Sequence, residues 1–344
     1  MKLLCPLKSA YLITDKLTRK YFTGVDLAEG FLFIVNGGMV IFTDARYFYQ
    51  ANKDFNAVGV EARLYSGQES LAEFIKEQKI RTLFIDYSRT TVKEEEGYKK
   101  LVKRVKDFSS ELEKIRSIKN DGEIALIKKA CEICEKAYHQ EIVKVKEGIT
   151  ELELKSAIEK AIIKLGGDGP AFDIIVAFGE NGAVPHHQTG NTKLKKDMPI
   201  LIDMGASYRG YLSDLTRTAY FGSPSEKFLR CYQAVLDANL LAEEKIKAGM
   251  TTDTADGIAR QYLCDNGLGD YFTHSLGHGV GLEIHEYPAL SKRRRDEIKE
   301  GMVVTIEPGV YFDGEFGIRI EDTVLIKGGK VERLFTDSKE LKIL

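Results

Sequence analysis

The sequence predicts a two-domain α+β protein, in which a smaller α/β domain precedes a larger domain of helices packed on a mostly antiparallel sheet. The length of 344 residues suggests two domains. In the first third, short β-rich runs alternate with helical patterns, as is typical of an α/β domain. Two long helical patterns then precede a region, from Ala171 onward, in which β-rich segments dominate. We place the boundary at residue 118, so that the predicted domains are 1–118 and 119–344.

The smaller domain is expected to begin with a β-hairpin. Residues 30–36 and 39–44 have the composition of strands, and they flank Gly37-Gly38, a two-residue turn signal. The charged segment 111–119 is the predicted linker to the larger domain. The remaining elements are expected as helices at 45–53, 68–78 and 92–105 and as strands at 58–65 and 82–86.

The larger domain opens with a segment that carries a helix-start signal. Asn120 and Glu123 have the spacing of a capping box, and the amphipathic pattern continues to about Lys146. A second helix is predicted at 151–165, and the Gly166-Gly167 pair ends it. Two later helices are expected at 225–248 and 252–266.

Composition excludes several classes of protein. The formal net charge of −2 argues against a nucleic-acid binder, which normally carries a basic field. No apolar run approaches the ~20 residues that cross a bilayer, so no membrane contact is expected. Five cysteines without framework spacing fit a reducing compartment, and the N-terminal segment lacks a signal-peptide pattern. We therefore expect a cytoplasmic protein.

Two acidic residues occupy unusual places in a predicted hairpin. Asp203 lies in the apolar run PILIDMGA, and Asp214 lies in YLSDLTRTAY. A hairpin folded about Tyr208 and Arg209 would place Asp203 directly opposite Asp214, with side chains ~5 Å apart. Two facing carboxylates in an apolar ladder repel each other unless a positive charge lies between them.

The same arrangement recurs near the C-terminus. Glu307 ends the run MVVTIE, Glu321 lies in GIRIEDTVLI, and the turn signal between them is centred on Gly314. A hairpin about this turn places Glu307 opposite Glu321. Two opposed acid pairs in one chain indicate a site for hard cations.

His278 is the predicted fifth ligand. It lies in LGHGVGL, where Gly277, Gly279 and Gly281 would share one face of an extended segment and allow another backbone to approach closely. Four carboxylates and one imidazole suit two divalent first-row ions such as Mn²⁺, Co²⁺, Zn²⁺ or Fe²⁺. Two such ions ~3.5 Å apart can activate a water molecule and stabilise a developing oxyanion.

In this order, the five residues and their motifs resemble the methionine-aminopeptidase, aminopeptidase P and prolidase family. The motifs that carry the resemblance are DMGA with SDLTRT, HSLGHGVGLEIHE, TIEPGVY and GIRIED. The resemblance implies a pita-bread metallopeptidase domain behind a creatinase-type α/β N-terminal domain. It also implies that Asp203 binds one ion, that His278 and Glu307 bind the other, and that Asp214 and Glu321 bridge both. Glu307 would in addition move the proton of the attacking water.

The resemblance further implies substrate-facing histidines. His285 would contact the scissile carbonyl or the leaving nitrogen as a polar donor to the oxyanion. His186 would approach the substrate from the other side, unless it is an ordinary loop histidine. His187, its neighbour in VPHH, is expected to have no role.

Three more residues are candidates for substrate binding. His274 would line the proline pocket, although simple packing would also explain it. Tyr311 would border the same pocket or belong to the core. Arg319 would share a face with Glu321 on a strand and hold either that residue or the substrate carboxylate, unless it forms a purely structural ion pair.

Within the family, the features favour a peptidase that cuts between an N-terminal residue and proline. The compact length and the context HEYP favour a prolidase, which cuts Xaa-Pro dipeptides. Ala289 stands where some prolidases have a basic residue, which leaves open an aminopeptidase P that acts on longer peptides. A remote alternative is an inactive binding protein, which should have lost some ligands. A homodimer is expected, because relatives with this N-terminal domain are commonly dimers.

Overall fold

A computed structural model describes Leu3 and residues 5–344 of the chain. The chain divides after Glu113 into two compact units. The division falls within a helix, α5, whose bounds are Ser109–Ser117, so most of the segment predicted as a linker is helical. No helix among the described residues is both long and apolar enough to span a membrane.

The first unit contains a six-stranded mixed sheet flanked by helices. Its strand order is β4-β3-β2-β1-β5-β6, with antiparallel pairs in the β1-β2-β3 meander and parallel pairs elsewhere. Two apolar clusters fill its interior. The elements are β1 Ser9–Ile13, α1 Lys16–Thr23, β2 Phe31–Val35, β3 Gly38–Thr43, α2 Ala45–Ala57, β4 Glu61–Leu64, α3 Gln68–Glu77, β5 Thr82–Ile85, α4 Val92–Leu101 and β6 Arg104–Asp107.

The predicted hairpin of this unit is confirmed, but its turn lies one residue earlier than expected. Val35 pairs with Gly38, so the turn residues are Asn36 and Gly37, with φ of 39° and 80°. A type I′ turn needs positive φ at both central residues, and Asn-Gly meets that need better than Gly-Gly in this context. Gly38 is therefore the first residue of β3.

One predicted helix of the first unit extends four residues too far. The sequence predicts a helix over 92–105, whereas α4 ends at Leu101 and strand β6 begins at Arg104. β6 is an edge strand with mostly exposed, charged residues, so it lacks the apolar alternation that would reveal it.

The second unit holds four long helices and a nine-stranded sheet. Its helices and first strands are α6 Asp121–Ile142, α7 Glu151–Lys164, β7 Gly169–Pro170, β8 Ile175–Phe178, β9 Met198–Met204, β10 Ala206–Tyr208, β11 Tyr211–Leu212, β12 Leu215–Phe221, α8 Glu226–Lys245 and α9 Thr252–Asp265. The later strands are β13 Gly277–Gly279, β14 Glu286–Leu290, β15 Val303–Ile306, β16 Gly309–Phe312, β17 Phe316–Arg319, β18 Glu321–Lys327, β19 Lys330–Arg333 and β20 Lys342–Ile343. Short 3₁₀ turns occur at Gly179–Ala183 and Gly269–Tyr271.

The large sheet runs in the order β14-β13-β15-β18-β12-β9-β8, and β19 and β20 add to β18 and β12. All of its pairs are antiparallel except that of β12 with β20. Helices α6 and α7 share one buried apolar cluster with β8 and β9, and α8 and α9 share another with β15, β16 and β17. The predicted mostly antiparallel sheet with packed helices is confirmed.

The helix starts of this unit follow the predicted signals. The capping box of Asn120 and Glu123 is present at the start of α6, with the Asn120 side chain accepting from the Glu123 amide and the Glu123 carboxylate accepting from the Asn120 amide. Thr150 and Glu153 form a second capping box at the start of α7. These caps satisfy amides that a helix cannot pair internally.

Candidate metal centre and active site

Nine of the ten predicted site residues line one cavity of about 510 Å³ in the second unit. Tyr311 is the exception, and its hydroxyl lies behind the wall, within hydrogen-bond distance of His274 and Arg319. Apolar residues complete the wall, among them Phe172, Ile175 and Ile284. The nine are Asp203, Asp214, His278, Glu307, Glu321, His186, His274, His285 and Arg319.

The first acid pair lies on the hairpin of β9 and β12, but not in the predicted register. Asp203 pairs with Thr216, not with Asp214. The prediction was wrong because the two-residue turn consists of Arg209 and Gly210, with φ of 51° and 83°, and so lies one residue later than expected. Positive φ at both turn residues again matches a type I′ turn, whose second position suits glycine.

Asp214 reaches the site through a break in the strand. Residues 213–214 separate β11 from β12, and the backbone of Asp214 is held by the Thr323 hydroxyl, which accepts from its N–H at 3.0 Å and donates to its carbonyl at 2.8 Å. Ligand atoms of Asp214, His278 and Glu321 all lie within 4.8 Å of one another. Asp203 lies outside this group but lines the same cavity and is close enough to raise the pKa of Asp214, so the two acids share the site although they do not pair across the ladder.

The second acid pair has the predicted register. Ile306 pairs with Asp322 in β15 and β18, and Gly309 pairs with Arg319 in β16 and β17, so the chain between them places Glu307 opposite Glu321. The pairs of β15 with β18 and of β16 with β17 follow the same register. This register matches the predicted turn centred on Gly314, where φ is 68°.

His278 points its Nε2 atom at the carboxylates. Its Nδ1 lies 3.1 Å from the Gly279 carbonyl, which can only accept, so Nδ1 carries the proton and Nε2 keeps a free lone pair. Nε2 is 3.4 Å from Glu307 Oε1 and 3.6 Å from Asp214 Oδ2. Burial lowers the pKa of His278 to about 4, with His285 adding to the effect, which keeps the imidazole neutral as a metal ligand must be.

The glycines beside His278 have the predicted role of allowing close approach. A Cβ on Gly277 would lie 2.0 Å from the Thr305 carbonyl oxygen, and one on Gly279 would lie 2.5 Å from the Tyr287 carbonyl oxygen. Neither contact is compatible with a side chain. The absence of Cβ atoms therefore lets the neighbouring strands hold His278 in place.

The electrostatics of the acids fit bound cations. Burial raises the pKa of Asp214 and of Glu321 well above the ordinary values, with the neighbouring carboxylates adding to the effect, and burial raises the pKa of Glu307 to about 8. Among the described residues, Oδ1 of Asp203 and Oδ1 of Asp214 are buried without a hydrogen-bond partner. Buried carboxylate oxygens without donors are costly unless a cation takes the place of the donors. The donor set of carboxylates and one imidazole suits such an ion.

The Arg319 side chain is buried and forms its ion pair with Asp203 rather than with Glu321. Its side chain is 4% exposed, and its Nη2 donates to Asp203 Oδ2 at 2.6 Å. Nε donates to Thr216 Oγ1 at 3.0 Å, and Nη1 donates to the Tyr311 hydroxyl at 2.7 Å. The expectation that Arg319 holds Glu321 directly was wrong, because the Thr216 hydroxyl lies between them: it accepts from Arg319 Nε and donates to Glu321 Oε2.

Two threonines of the site were missed in the sequence. Thr216 donates to Glu321 Oε2 at 2.6 Å, and Thr305 donates to Glu307 Oε1 at 3.1 Å while accepting from the His278 amide. Only Thr305 carried a signal in the sequence: it precedes Glu307 by two residues, which places both on one face of a strand.

Three further histidines, His186, His274 and His285, also line the cavity. His274 bonds through Nδ1 to the Ser275 carbonyl at 2.8 Å and through Nε2 to the Tyr311 hydroxyl at 2.9 Å. Burial lowers the pKa of His274 to about 3, and Arg319 adds to the effect. The His285 ring lies 4.3 Å from the His278 ring, centroid to centroid.

Comparison with protein families identifies the chain. Residues 125–328 match the model of metallopeptidase family M24, and residues 8–118 match the creatinase/prolidase N-terminal domain. The chain belongs to metallopeptidase family M24. The predicted fold class, a pita-bread catalytic domain behind a creatinase-type α/β domain, is confirmed.

Several characterised relatives of this M24 peptidase align along nearly its whole length. The Xaa-Pro dipeptidase of Pyrococcus furiosus is 38% identical over 326 residues, which cover 93% of this chain and 91% of that protein. The structure of a Xaa-Pro dipeptidase from Bacillus anthracis matches with a TM-score of 0.93 at 36% identity, covering 97% of this chain and 95% of that one. An X-Pro aminopeptidase from Thermotoga maritima matches with a TM-score of 0.91 at 33% identity, covering 98% and 97%.

Proposed function

We propose that this M24 peptidase is a metal-dependent Xaa-Pro dipeptidase, which hydrolyses the bond between an N-terminal residue and proline. The observation that carries the proposal is that four carboxylates and one imidazole line one cavity together with three further histidines, and that three of these five proposed ligands already cluster. The names of the relatives support the dipeptide substrate.

The site would hold two divalent ions, Mn²⁺ or Co²⁺ ahead of Zn²⁺ or Fe²⁺. In the proposed arrangement Asp203 binds one ion, His278 and Glu307 bind the other, and Asp214 and Glu321 bridge them. The partnerless oxygens of Asp203 and Asp214 and the free Nε2 of His278 support this assignment. Bound ions would supply a Lewis acid and an activated water at neutral pH.

The remaining residues would handle protons and position the substrate. Glu307 would accept the proton of the attacking water and return it to the leaving proline nitrogen, since Thr305 fixes its Oε1 at the cavity wall. His285 would donate to the developing oxyanion. His186 would contact the substrate, and His274, held from behind by the Tyr311 hydroxyl, would border the proline ring.

Aminopeptidase P activity on longer peptides is the second candidate. Ala289 lies in the cavity wall, where its methyl group offers no charge to a dipeptide carboxylate. Of the residues that the structure describes, Arg319 is the one arginine of that wall, and its guanidinium already contacts Asp203, Thr216 and Tyr311. These observations favour a substrate whose chain continues beyond proline.

Hydrolysis of Ala-Pro and of Ala-Pro-Ala, after loading with Mn²⁺ and separately with Co²⁺, distinguishes the two candidates. We expect Ala-Pro to be cut. Cleavage confined to Ala-Pro supports the dipeptidase, whereas preference for Ala-Pro-Ala supports aminopeptidase P. Cleavage of neither peptide under either metal would contradict any Xaa-Pro activity.

The metal ligands can be tested directly. Asp214→Ala and Glu321→Ala should each lose metal, measured by elemental analysis after dialysis, together with activity. Full activity in either variant would refute the ligand assignment. A wild-type protein with neither bound metal nor metal-dependent activity would instead favour an inactive binding protein.

We also infer a homodimer located in the cytoplasm, acting on short proline-containing peptides. The dimer rests on the presence of the creatinase-type N-terminal domain, and the location rests on the cysteine pattern. Light scattering at working concentration should give twice the chain mass of 38.6 kDa. A monomer would refute the dimer.

A further inference from the structure

His187, which the sequence left without a role, is anchored beneath the loop that carries His186. Its Nε2 lies 3.0 Å from Oε2 of Glu151. The His187 side chain is 16% exposed and that of Glu151 is fully buried. The His187 amide also donates to the Val184 carbonyl at 3.1 Å, which closes a turn around His186.

The Glu151 carboxylate is bonded on both oxygens to the two ends of this loop. Oε1 accepts from the Phe178 amide at 2.9 Å and from Asn181 Nδ2 at 2.8 Å, and Oε2 accepts from the Gly190 amide at 3.0 Å. These three groups can only donate, so the carboxylate acts as the acceptor. His187 Nε2 therefore carries a proton and supplies the fourth donor.

Glu151 itself is fixed by a rigid element. It is the first residue of α7, where the helix dipole favours a negative charge. Its amide donates to the Thr192 carbonyl at 3.1 Å, and the Leu152 amide donates to the Gly190 carbonyl at 3.0 Å. The loop is thus tied to the start of a helix at both of its ends and, through His187, at its middle.

His186 has no such anchor of its own. Across Leu3 and residues 5–344, its imidazole has no hydrogen-bond partner, although it lines the cavity and lies close enough to His274 and His285 to influence both rings. The position of the imidazole therefore depends on where the backbone of the loop is held.

We propose that Glu151 and His187 are positioning residues, which hold the His186 imidazole against the substrate cavity. The proposal rests on the proposed function, since that function assigns His186 to substrate contact. His187 touches no substrate in this arrangement and acts only through its neighbour.

The test compares His187→Leu, which removes the donor, with His187→Gln, whose Nε2 keeps a donor at similar reach. kcat and KM are measured in the wild-type and His186→Ala backgrounds, with metal content and thermal midpoint determined for each variant. His187→Leu should lower kcat/KM roughly tenfold or more with unchanged metal content, because a small displacement near the reacting atoms is costly. His187→Gln should stay near the wild type, and in the His186→Ala background His187→Leu should add no further loss. His139→Leu, on α6, is the matched control.

Two results would overturn the proposal: a wild-type kcat/KM in His187→Leu, or the same loss in both backgrounds. A second measurement does not depend on the substrate. Hydrogen exchange across residues 178–190 should be faster in His187→Leu and unchanged in His187→Gln, and unchanged exchange in both would also overturn it. If the wild type cuts no Xaa-Pro peptide, the proposed function fails, and the exchange measurement alone decides the positioning role.

Discussion

At the scale of single residues, Thr216 lies between two of the proposed metal ligands and orients the carboxylate of one, Glu321. It is fully buried and pairs with Asp203 on one side and with Glu321 on the other. Its hydroxyl donates to Glu321 Oε2 and accepts from Arg319 Nε, so it fixes the orientation of the Glu321 carboxylate, whose two oxygens keep further lone pairs for cations. Groups that orient metal ligands in this way commonly affect affinity as much as geometry.

Thr216→Val should therefore weaken metal binding by roughly ten- to hundredfold, with the fold retained. The measurement is a calorimetric titration of the stripped protein with Mn²⁺. Thr252→Val is the matched control, because Thr252 is equally buried but bonds only to residues 294 and 296 near the start of α9. Wild-type affinity in Thr216→Val would show that the hydroxyl does not orient Glu321.

Glu286, which follows His285, is the buried anchor of the loop that carries that histidine. Its Oε1 accepts from the amides of Leu282 and Glu283, and Lys119 and Arg116 contact the same carboxylate. Burial alone would raise the pKa of Glu286, but the two cations overcome it and hold the pKa below the ordinary 4.5.

A lowered folded-state pKa means that Glu286 stabilises the fold fully above pH 4.5 and loses that contribution as the pH falls through the folded value. Glu286→Gln should cost about 3 kcal/mol at neutral pH, since it removes the ion-pair partner of the buried Lys119 and leaves the buried Arg116 with Glu283 alone. Unfolding midpoints against pH should show the wild type and the variant converging below pH 4.5. Glu283→Gln is the control. Because the Glu283 side chain is 27% exposed, the unfolding midpoint of this variant should differ little from that of the wild type. If the difference in unfolding midpoint between the wild type and Glu286→Gln stayed constant down to acid pH, the ionised Glu286 carboxylate would not be the stabilising group.

At the scale of elements, strand β13 depends on the missing side chain of Gly277. Gly277→Ala would set a methyl group against the Thr305 carbonyl and push β13, with His278, away from β15. We expect a loss of about 3 kcal/mol or more, together with loss of metal binding. Gly257→Ala on α9 is the control, because its Cβ would meet nothing within 4 Å, and it should stabilise the protein by about 0.5–1 kcal/mol. Chemical denaturation measures the unfolding free energy of both variants. An equal change in the two would show that the missing side chain of Gly277 is not what holds β13 in place.

The hairpins show which features of the elements could be predicted from the sequence. Strand runs and the presence of turns were readable from apolar patterns and glycines. The register was correct at Gly314, where the glycine is the centre of the turn, and wrong at Gly37 and Gly210, where it is the second of two turn residues. A shift of one turn residue changes every cross-strand partner, so Asp214 could not be placed from the pattern alone.

The site was more predictable than the register because metal ligation leaves chemical signals. Asp203 and His278 were identifiable as unusual residues in strand-like surroundings, whatever their exact partners. Thr216 and Glu151 carry no such signal, since threonine is common in strands and a glutamate at a helix start is an ordinary preference. Their roles depend on contacts between distant segments, and only the folded chain contains these.

At the scale of the whole molecule, buried ion pairs hold the C-terminal segment against the strands that carry the site. Arg217 and Asp322 each follow a site residue in their strands, and the Arg217 guanidinium donates to Asp322 at 2.8 Å, to Asp337 at 2.7 Å and to the Glu321 carbonyl at 2.6 Å. Lys339 lies 2.7 Å from the second oxygen of Asp322. All four charged side chains are 3% exposed or less. Residues more than 100 positions apart in the sequence therefore fix β12 against β18, which carry Thr216 and Glu321.

Removing one charged side chain of this cluster should lower the unfolding free energy far more than breaking an ion pair on the surface. Asp337→Ala leaves Arg217 buried with half of its counter-charge, so we expect a loss of about 3–5 kcal/mol in unfolding free energy. Glu315→Ala is the control, since Glu315 and Lys227 are 50% and 44% exposed, and it should cost less than about 1 kcal/mol. Urea unfolding of the metal-free proteins measures the loss in unfolding free energy without any contribution from bound ions. Because Arg217 also holds the Glu321 backbone, Asp337→Ala should lower Mn²⁺ affinity as well, whereas Glu315→Ala should not. Equal stability losses in the two variants would mean that the C-terminal segment does not brace the site.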